Sequence, residues 1–203
     1  MRALSTVVLA AGASERFGAE NKLLADIGGD LLIHNVVREV IGSGIAEVVV
    51  ITGWDEARIA ATLAGLPARL VYNGNWRSGM GTSIAAGIAA LRGNIEGAFV
   101  VPGDMPRLTS GLLVRLARAF EEGGRRVVVF PVTAGGDQRN PVLWPRCFFE
   151  KLMTLSGPQG AKGLLQSPGV ARIGVPIEDE ATLEDIDTFD DLQRMQPLAP
   201  TPY

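Results

Sequence analysis

Ser14, Arg16 and Lys22 fall within one loop's length, directly after an apolar run, Val7-Val-Leu-Ala-Ala11, that stops at Gly12. Small residues let a polyanion approach backbone N–H groups closely, and a hydroxyl, a guanidinium and an ammonium nearby supply donors and charge for phosphate oxygens. An ordinary surface loop with solvated charges has the same composition, so both readings stand at this point. Spacing excludes two common phosphate loops. A P-loop places four residues between its first Gly and a Gly-Lys-Ser/Thr, whereas five separate Gly12 from Gly18, and Ala19 follows. A dinucleotide fingerprint needs a third Gly after the first pair, and neither Gly12 nor Gly79-Met-Gly81 meets that pattern.

Three further groups could join this loop. Asn73 leads into a second junction rich in Gly and hydroxyls, Gly79-Met-Gly-Thr-Ser83; Asp104 follows the apolar run Gly97–Pro102; and Asp185-Ile-Asp187 lies in a late acidic segment. Together they suit transfer of a nucleotidyl group, because a triphosphate needs cations and N–H donors, a divalent ion needs carboxylates, and a base needs a close wall of small residues. Taken singly, Asp104 before Met-Pro could cap a turn, and the acidic pair could be solvated. His34, the lone histidine, sits in an apolar helix, where packing is the expected role. Cys147, between Arg146 and two Phe residues, is expected to be an inert buried thiol. Nucleophile-elbow and zinc-ligand spacings are absent from the sequence.

The elements that must position these residues alternate. Val7–Ala10, Glu47–Thr52, Ala68–Asn73 and Gly97–Pro102 read as strands, Glu47–Thr52 as one covered on both faces, separated by helices over residues 31–41, 56–66 and 84–91 and followed by one over 110–120. Asp30, Asp55 and Thr109 are the expected N-caps. Repeated strand–helix alternation predicts a mostly parallel sheet with right-handed crossovers. The rhythm then changes: Arg126–Pro131 and Pro141–Trp144, joined through Gly135-Gly136, predict an antiparallel hairpin-like pair. Two short helices near 148–152 and 161–165, a strand near 170–177 and a last helix capped by Thr188 complete the chain. Residues 1–196 are expected to form one domain, and 197–203, with three Pro, a mobile tail.

With 203 residues, 47% of them apolar, there is length for a substantial core, and the net charge of −3 argues against broad affinity for nucleic acid or membrane surfaces. The single cysteine precludes an internal disulfide and fits a reducing compartment. The N-terminal apolar run is too short to span a membrane and lacks a signal peptide's cleavage region, so a cytoplasmic protein is expected.

Leu9-Ala-Ala-Gly12, Ser14, Arg16, Gly18 and Lys22 resemble the signature L-A-[AG]-G-x-S-x-R-[MF]-G-x-x-K of nucleotidyltransferases with a Rossmann-like, glycosyltransferase-A type fold. Asn73-x-x-Trp76-x-x-Gly79-Met-Gly-Thr-Ser83, Gly103-Asp-Met-Pro106, Arg139-Asn-Pro141 and Asp185-Ile-Asp-Thr188 are similar to the molybdenum cofactor cytidylyltransferase branch of the MobA-like transferases. The resemblance implies a three-layer α/β/α fold with a mixed, mostly parallel sheet, and transfer of CMP from CTP to the phosphate of molybdopterin with release of pyrophosphate. Ala11, where guanylyltransferases of the group usually carry Gly, points to CTP.

It also implies roles. Leu9, Ala10, Ala11 and Gly12, with Asn73, Gly79, Gly81 and Ser83, would hold base and ribose. Ser14 and Arg16 would hold the β- and γ-phosphates and Lys22 the α-phosphate, while Asp104 and Asp187 would bind Mg²⁺, with Asp185 as a further partner. Arg16, Lys22 and Asp104 are the implied catalytic residues, and Asn140 and Lys162 lie on the acceptor side. Two stretches depart from the family pattern: Arg139-Asn-Pro141 replaces a frequent Gly-His-Pro, and Gly157-Pro-Gln-Gly-Ala-Lys162 replaces a frequent Gly-Asp-x-Gly-Ala-Arg. Expected partners are the nucleotide, a phosphorylated small-molecule acceptor and, transiently, a molybdoenzyme or its chaperone. A guanylyltransferase, a sugar- or polyol-phosphate nucleotidyltransferase and a non-catalytic nucleotide-binding or cofactor-chaperone module are the alternatives.

Overall fold

A computed structural model describes residues 3–17 and 20–195; the Arg16 side chain, Gly18 and the expected tail lie outside the described residues. In chain order the elements are β1 (Leu4–Ala10), α1 (Leu32–Gly42), β2 (Glu47–Thr52), α2 (Glu56–Thr62), β3 (Arg69–Tyr72), α3 (Met80–Ala90), β4 (Gly97–Pro102) and α4 (Ser110–Glu122). These are followed by β5 (Val128–Val132), β6 (Val142–Pro145), α5 (Phe149–Met153), α6 (Lys162–Leu165), β7 (Arg172–Pro176) and α7 (Phe189–Met195).

One sheet has the order β3-β2-β1-β4-β6-β5-β7. The pairs β1–β2, β1–β4, β2–β3 and β5–β7 are parallel, and β6 runs antiparallel to both β4 and β5. The central strands are continuous apolar runs because both of their faces are covered. Alternate residues point to opposite layers. Val8, Val50, Phe99 and Val101 pack with Val36, Val37, Leu113 and Leu116 of α1 and α4. Val7, Val49, Ile51, Ala98 and Val100 pack with Ile84 and Ile88 of α3 and with Leu152 and Leu165 of α5 and α6. This is the three-layer α/β/α architecture expected from the sequence. Gly87 allows α3 to press on the sheet: a Cβ there would stand 2.2 Å from Val7 Cγ1.

Two expected caps differ. The helix begins at Leu32 with Leu31 as N-cap, and Asp30 braces it from one residue earlier, accepting from Leu31 N–H at 2.8 Å and pairing with His34 Nδ1 at 2.7 Å. His34 is thus tied to a carboxylate rather than simply packed. Asp55 adopts a left-handed conformation, φ 60°, and its carboxylate accepts from Arg58 instead of capping α2. Thr109 does cap α4, accepting from Leu112 N–H at 3.2 Å. The β5–β6 pair is antiparallel as expected, yet β6 is threaded between β4 and β5 rather than added at an edge. Cys147 is exposed, not buried, because β6 ends at Pro145 and the chain leaves the core in a 3₁₀ turn, Arg146–Phe148. No helix among the described residues is long and apolar enough to cross a membrane.

From β1 the chain passes to β2 and β3 on one side and later returns to β4 on the other. The carboxyl ends of β1 and β4 are therefore the point where strand order reverses, the usual crevice for ligands of open α/β sheets. Gly103 N–H donates to Leu9 O at 2.9 Å, joining the two strand ends there.

Candidate active site at the carboxyl ends of the first and fourth strands

The loop after β1 leaves the sheet at Ala11, whose buried backbone accepts Trp54 N–H at 3.1 Å. Gly53 lies so close that a Cβ would stand 2.7 Å from both Ala11 O and the Trp76 ring. Ala11, Gly53 and Trp76 thus form one tight wall. Beyond it Ser14 takes a left-handed conformation, φ 54°, and its carbonyl accepts Phe17 N–H at 2.7 Å, closing a 3₁₀ turn over Glu15–Phe17. Phe17 meets Phe189 of α7 edge-on, with centroids 5.9 Å apart.

Asn21 then does local work. It is buried, and its Oδ1 accepts Leu23 N–H at 3.1 Å, starting the 3₁₀ turn Lys22–Leu24 that drives Leu23 into the core and directs Lys22 toward the end of β4. Lys22 Nζ donates to Asp104 Oδ2 at 2.6 Å and to the Ile186 carbonyl at 2.6 Å, and stands 3.4 Å from Asp187 Oδ1. Asp104 O in turn accepts Ile186 N–H at 2.9 Å. Ile186 is fully buried, which anchors Asp185 and Asp187 on either side of it against this cluster.

The second carboxylate oxygen of Asp104, Oδ1, is buried without a hydrogen-bond partner. Burial holds the Asp104 carboxyl above the ordinary carboxylate range; Lys22 pulls against that rise and the Asp185 charge adds to it. The carboxyl end of the sheet therefore carries an ammonium held between two carboxylates, with one buried lone-pair position still unmet.

The second Gly-rich junction is organised from within. Asn73, buried at the end of β3, donates through Nδ2 to Thr82 Oγ1 and Ser83 Oγ at 3.0 Å each. Gly79 and Gly81 press on residues 156–158: a Cβ at Gly79 would stand 2.4 Å from the Gly157 carbonyl carbon, one at Gly81 would stand 2.7 Å from Ser156 backbone, and Gly81 N–H donates to Gly157 O at 2.9 Å. These glycines are required by backbone approach from another segment. Met80–Ser83, expected as loop, form the first turn of α3, and Asn73 ties that turn to the end of β3 through Thr82 and Ser83.

The acidic segment closes with α7. Thr188 Oγ1 accepts Asp191 N–H at 3.3 Å, while the Asp191 carboxylate accepts from Asp187 N–H, Thr188 N–H and Thr188 Oγ1–H and pairs with Arg194, a reciprocal cap of the Thr-x-x-acid type. The hydroxyl and the backbone N–H of Thr188 hold the Asp191 carboxyl down to about 2. Its folded value lies below the ordinary 3.8, so its contribution to stability is present above that value and is lost as pH falls from 3.8 towards 2. Asp191→Ala is accordingly expected to lower the melting temperature at neutral pH, with the gap to the parent closing across that acid window. Thermal melts recorded at a series of pH values check this, and a gap that stays constant to pH 2 would contradict it.

A cavity of about 480 Å³ opens beside Asp185, lined among others by Arg107, Thr133, Arg139 and Asp191. A smaller one of about 150 Å³, lined by Met105, Gln138, Arg139, Asn140, Leu183 and Asp185, adjoins it. Of the residues singled out in the sequence, Lys22, Asp104 and Asp187 meet in one cluster, Leu9 to Ser14 form the adjoining turn, and Asn140 reaches the smaller cavity. Lys162 is exposed on α6 and lines neither cavity. Sequence reasoning missed the Ile186 carbonyl, which carries no residue-type signal. It also missed the cover over Gly79 and Gly81, although two glycines so close together were a sign of it, and the two arginines of the cavity wall.

Comparison with known proteins places this geometry among relatives. The profile of the MobA-like NTP transferase domain matches residues 6–173. Nicotine blue oxidoreductase from Paenarthrobacter nicotinovorans is 29% identical to this chain over 205 residues, covering 93% of this chain and 94% of that protein. Molybdenum cofactor guanylyltransferase from Cereibacter sphaeroides is 28% identical, covering 95% of each. A solved manganese complex of Rv0371c from Mycobacterium tuberculosis matches the fold with a TM-score of 0.77 at 21% identity, covering 97% of this chain and 99% of that one.

Proposed function

The chain belongs to the MobA-like NTP transferase family and is a nucleotidyltransferase, and from that premise we propose that it transfers CMP from CTP to the phosphate of molybdopterin or a related phosphorylated acceptor in the cytoplasm. The observation that carries this reading is the Lys22 ammonium seated on Asp104 and Asp187 at the sheet's reversal point. Two glycine-rich junctions stand beside it.

Asp104 and Asp187 fit a Mg²⁺ ion. The buried, unpartnered Asp104 Oδ1 is a ready oxygen ligand. Mg²⁺ is commonly held by one or two carboxylates, the remaining positions being filled by water and substrate phosphates. Among the described residues no group of three or more His, Cys, Asp or Glu could hold a metal ion by themselves, so phosphate oxygens would complete the shell. When bound, the ion neutralises charge on the triphosphate and on the departing pyrophosphate.

The chain's own groups position two polyanions. Ser14 and Arg16 hold the β- and γ-phosphates, and Lys22 turns from the carboxylates to the α-phosphate. An acceptor phosphate oxygen forms a bond to the α-phosphorus as the bond to the bridging oxygen breaks, and pyrophosphate leaves with that electron pair. No general base is required, because the attacking phosphate is already an anion at neutral pH; the rate comes from alignment and charge stabilisation. Leu9 to Gly12, with the first turn of α3 that Asn73 ties to β3, hold base and ribose. Ala11, where guanylyltransferases of the group usually carry Gly, favours the pyrimidine nucleotide. Asn140, at the smaller cavity, faces the acceptor.

Isothermal titration with Mg²⁺ and each of the four nucleoside triphosphates tests the donor. CTP is expected to bind at least about tenfold more tightly than GTP, a difference of roughly 1.4 kcal/mol. Equal or tighter GTP binding would transfer the reading to a guanylyl donor. Pyrophosphate release assayed with molybdopterin tests the acceptor, and tight nucleotide binding without release would remove molybdopterin from the reading.

A further inference from the structure

We propose that Arg107 and Arg139 form a clamp for the phosphate of the acceptor, in the cavity beside Asp104 and Asp185. The inference rests on the nucleotidyltransferase reading for its name of acceptor, and on the cavity itself for the anion.

Both arginines line the 480 Å³ cavity, and Arg139 lines the adjoining one as well. The backbone at both positions is held by hydrogen bonds, and both side chains are exposed. Arg107 follows the buried Met105 in the loop from β4 to α4, where Leu108 N–H donates to Met105 O at 3.2 Å. Arg139 N–H donates to Pro131 O at 2.9 Å, and the β5–β6 turn is tightened by Thr133 N–H to Asp137 O at 3.0 Å and Asp137 N–H to Thr133 Oγ1 at 3.1 Å. Yet neither guanidinium has a hydrogen bond or ion pair among the described residues. Arginines nearby are engaged: Arg115 donates to the Pro176 carbonyl, and Arg194 pairs with Asp191.

Of the four acidic residues on the same wall, two are committed elsewhere. Glu180 accepts Ala134 N–H at 2.7 Å, and Asp191 is committed to Thr188 and Arg194. Glu184 and Asp185 remain exposed, so the cavity offers two uncommitted cations and two uncommitted carboxylates to one ligand. That lining suits a polar small molecule with a phosphate at one end and hydroxyl or amino groups at the other. Guanidinium forks match phosphate oxygens in pairs, and two carried on a hydrogen-bonded backbone would orient the phosphate as well as attract it.

The full chain, titrated with glycerol 3-phosphate and with glycerol as the uncharged control, tests the clamp through the arginine Nε–H signals in NMR spectra. Saturable shifts at Arg107 and Arg139 with the phosphate and not with glycerol are expected. The pair Arg107→Ala with Arg139→Ala should weaken the interaction by about tenfold or more, and the pair of Lys substitutions by less, since charge remains without the fork. Shifts confined to residues 9–22, or an unchanged affinity in the double Ala variant, would overturn the clamp. A parallel titration with Mg²⁺ and CTP separates the two readings: if residues 9–22 do not respond to CTP while Arg107 and Arg139 still respond to phosphate, the donor reading fails and the clamp stands.

Discussion

Lys22→Ala is expected to lower turnover by on the order of 10²-fold or more with the fold intact, because the ammonium touches developing charge and not the core. A second effect runs the other way. Lys22 Nζ sits against Asp104 Oδ2 and Asp187 Oδ1, on the same two carboxylates assigned to the metal. Without nucleotide, the ammonium and a divalent cation compete for those carboxylates, so the variant should bind Mn²⁺ more tightly than the parent does. Turnover assays give the first quantity and electron paramagnetic resonance titration of free Mn²⁺ the second. Near-normal turnover would remove Lys22 from the chemistry. Weaker Mn²⁺ binding in the variant would mean that the lysine organises the carboxylates rather than competing for them.

Gly79→Ala is expected to destabilise the protein by about 3 kcal/mol or more, the sum of backbone strain and a steric clash. Gly79 has φ 103° and ψ 172°, a conformation that L-residues rarely adopt, and its missing Cβ would stand 2.4 Å from the Gly157 carbonyl carbon. Relief requires either the N-terminus of α3 or the 156–158 cover to move, so nucleotide affinity should fall along with stability. Gly163→Ala is the control. Nothing lies within 4 Å of a Cβ there, and in a helix Ala is favoured over Gly by up to about 1 kcal/mol. Urea denaturation of both variants decides the stability claim, and equal midpoints would refute it.

The sheet's parallel core was legible because burial on both faces writes itself as unbroken apolar runs, and Thr109 and Thr188 were legible because a cap is a local hydrogen bond. Asp104 was legible as a carboxylate at a strand end, though the desolvation acting on it was not, since burial is a property of the whole fold. Asp30 and Asp55 resembled caps in type and place, but the backbone at Leu31 and the left-handed turn at Asp55 are set by neighbouring loops. Cys147 was misread because the apolar residues beside it suggested depth. Trp144 is indeed buried, while the chain turns outward just past Pro145. Threading β6 between β4 and β5 follows from pairings across long sequence separations, for which the residues of β6 carry no local mark.

That reversed strand has a consequence for how the molecule could diversify. Because β6 runs against β4 and β5, the turn joining β5 to β6 emerges at the same end of the sheet as the carboxyl end of β4, and it lines the larger cavity together with Arg107 and residues from 180–195. Lys22 and Asp104 come from the segments after β1 and β4, while Thr133, Arg139 and Asn140 come from one short turn. The Lys22 cluster and the turn that lines the cavity are therefore written on separable pieces of sequence. Grafting residues 133–140 from a relative would change that lining while leaving the strands that carry the Lys22 cluster undisturbed.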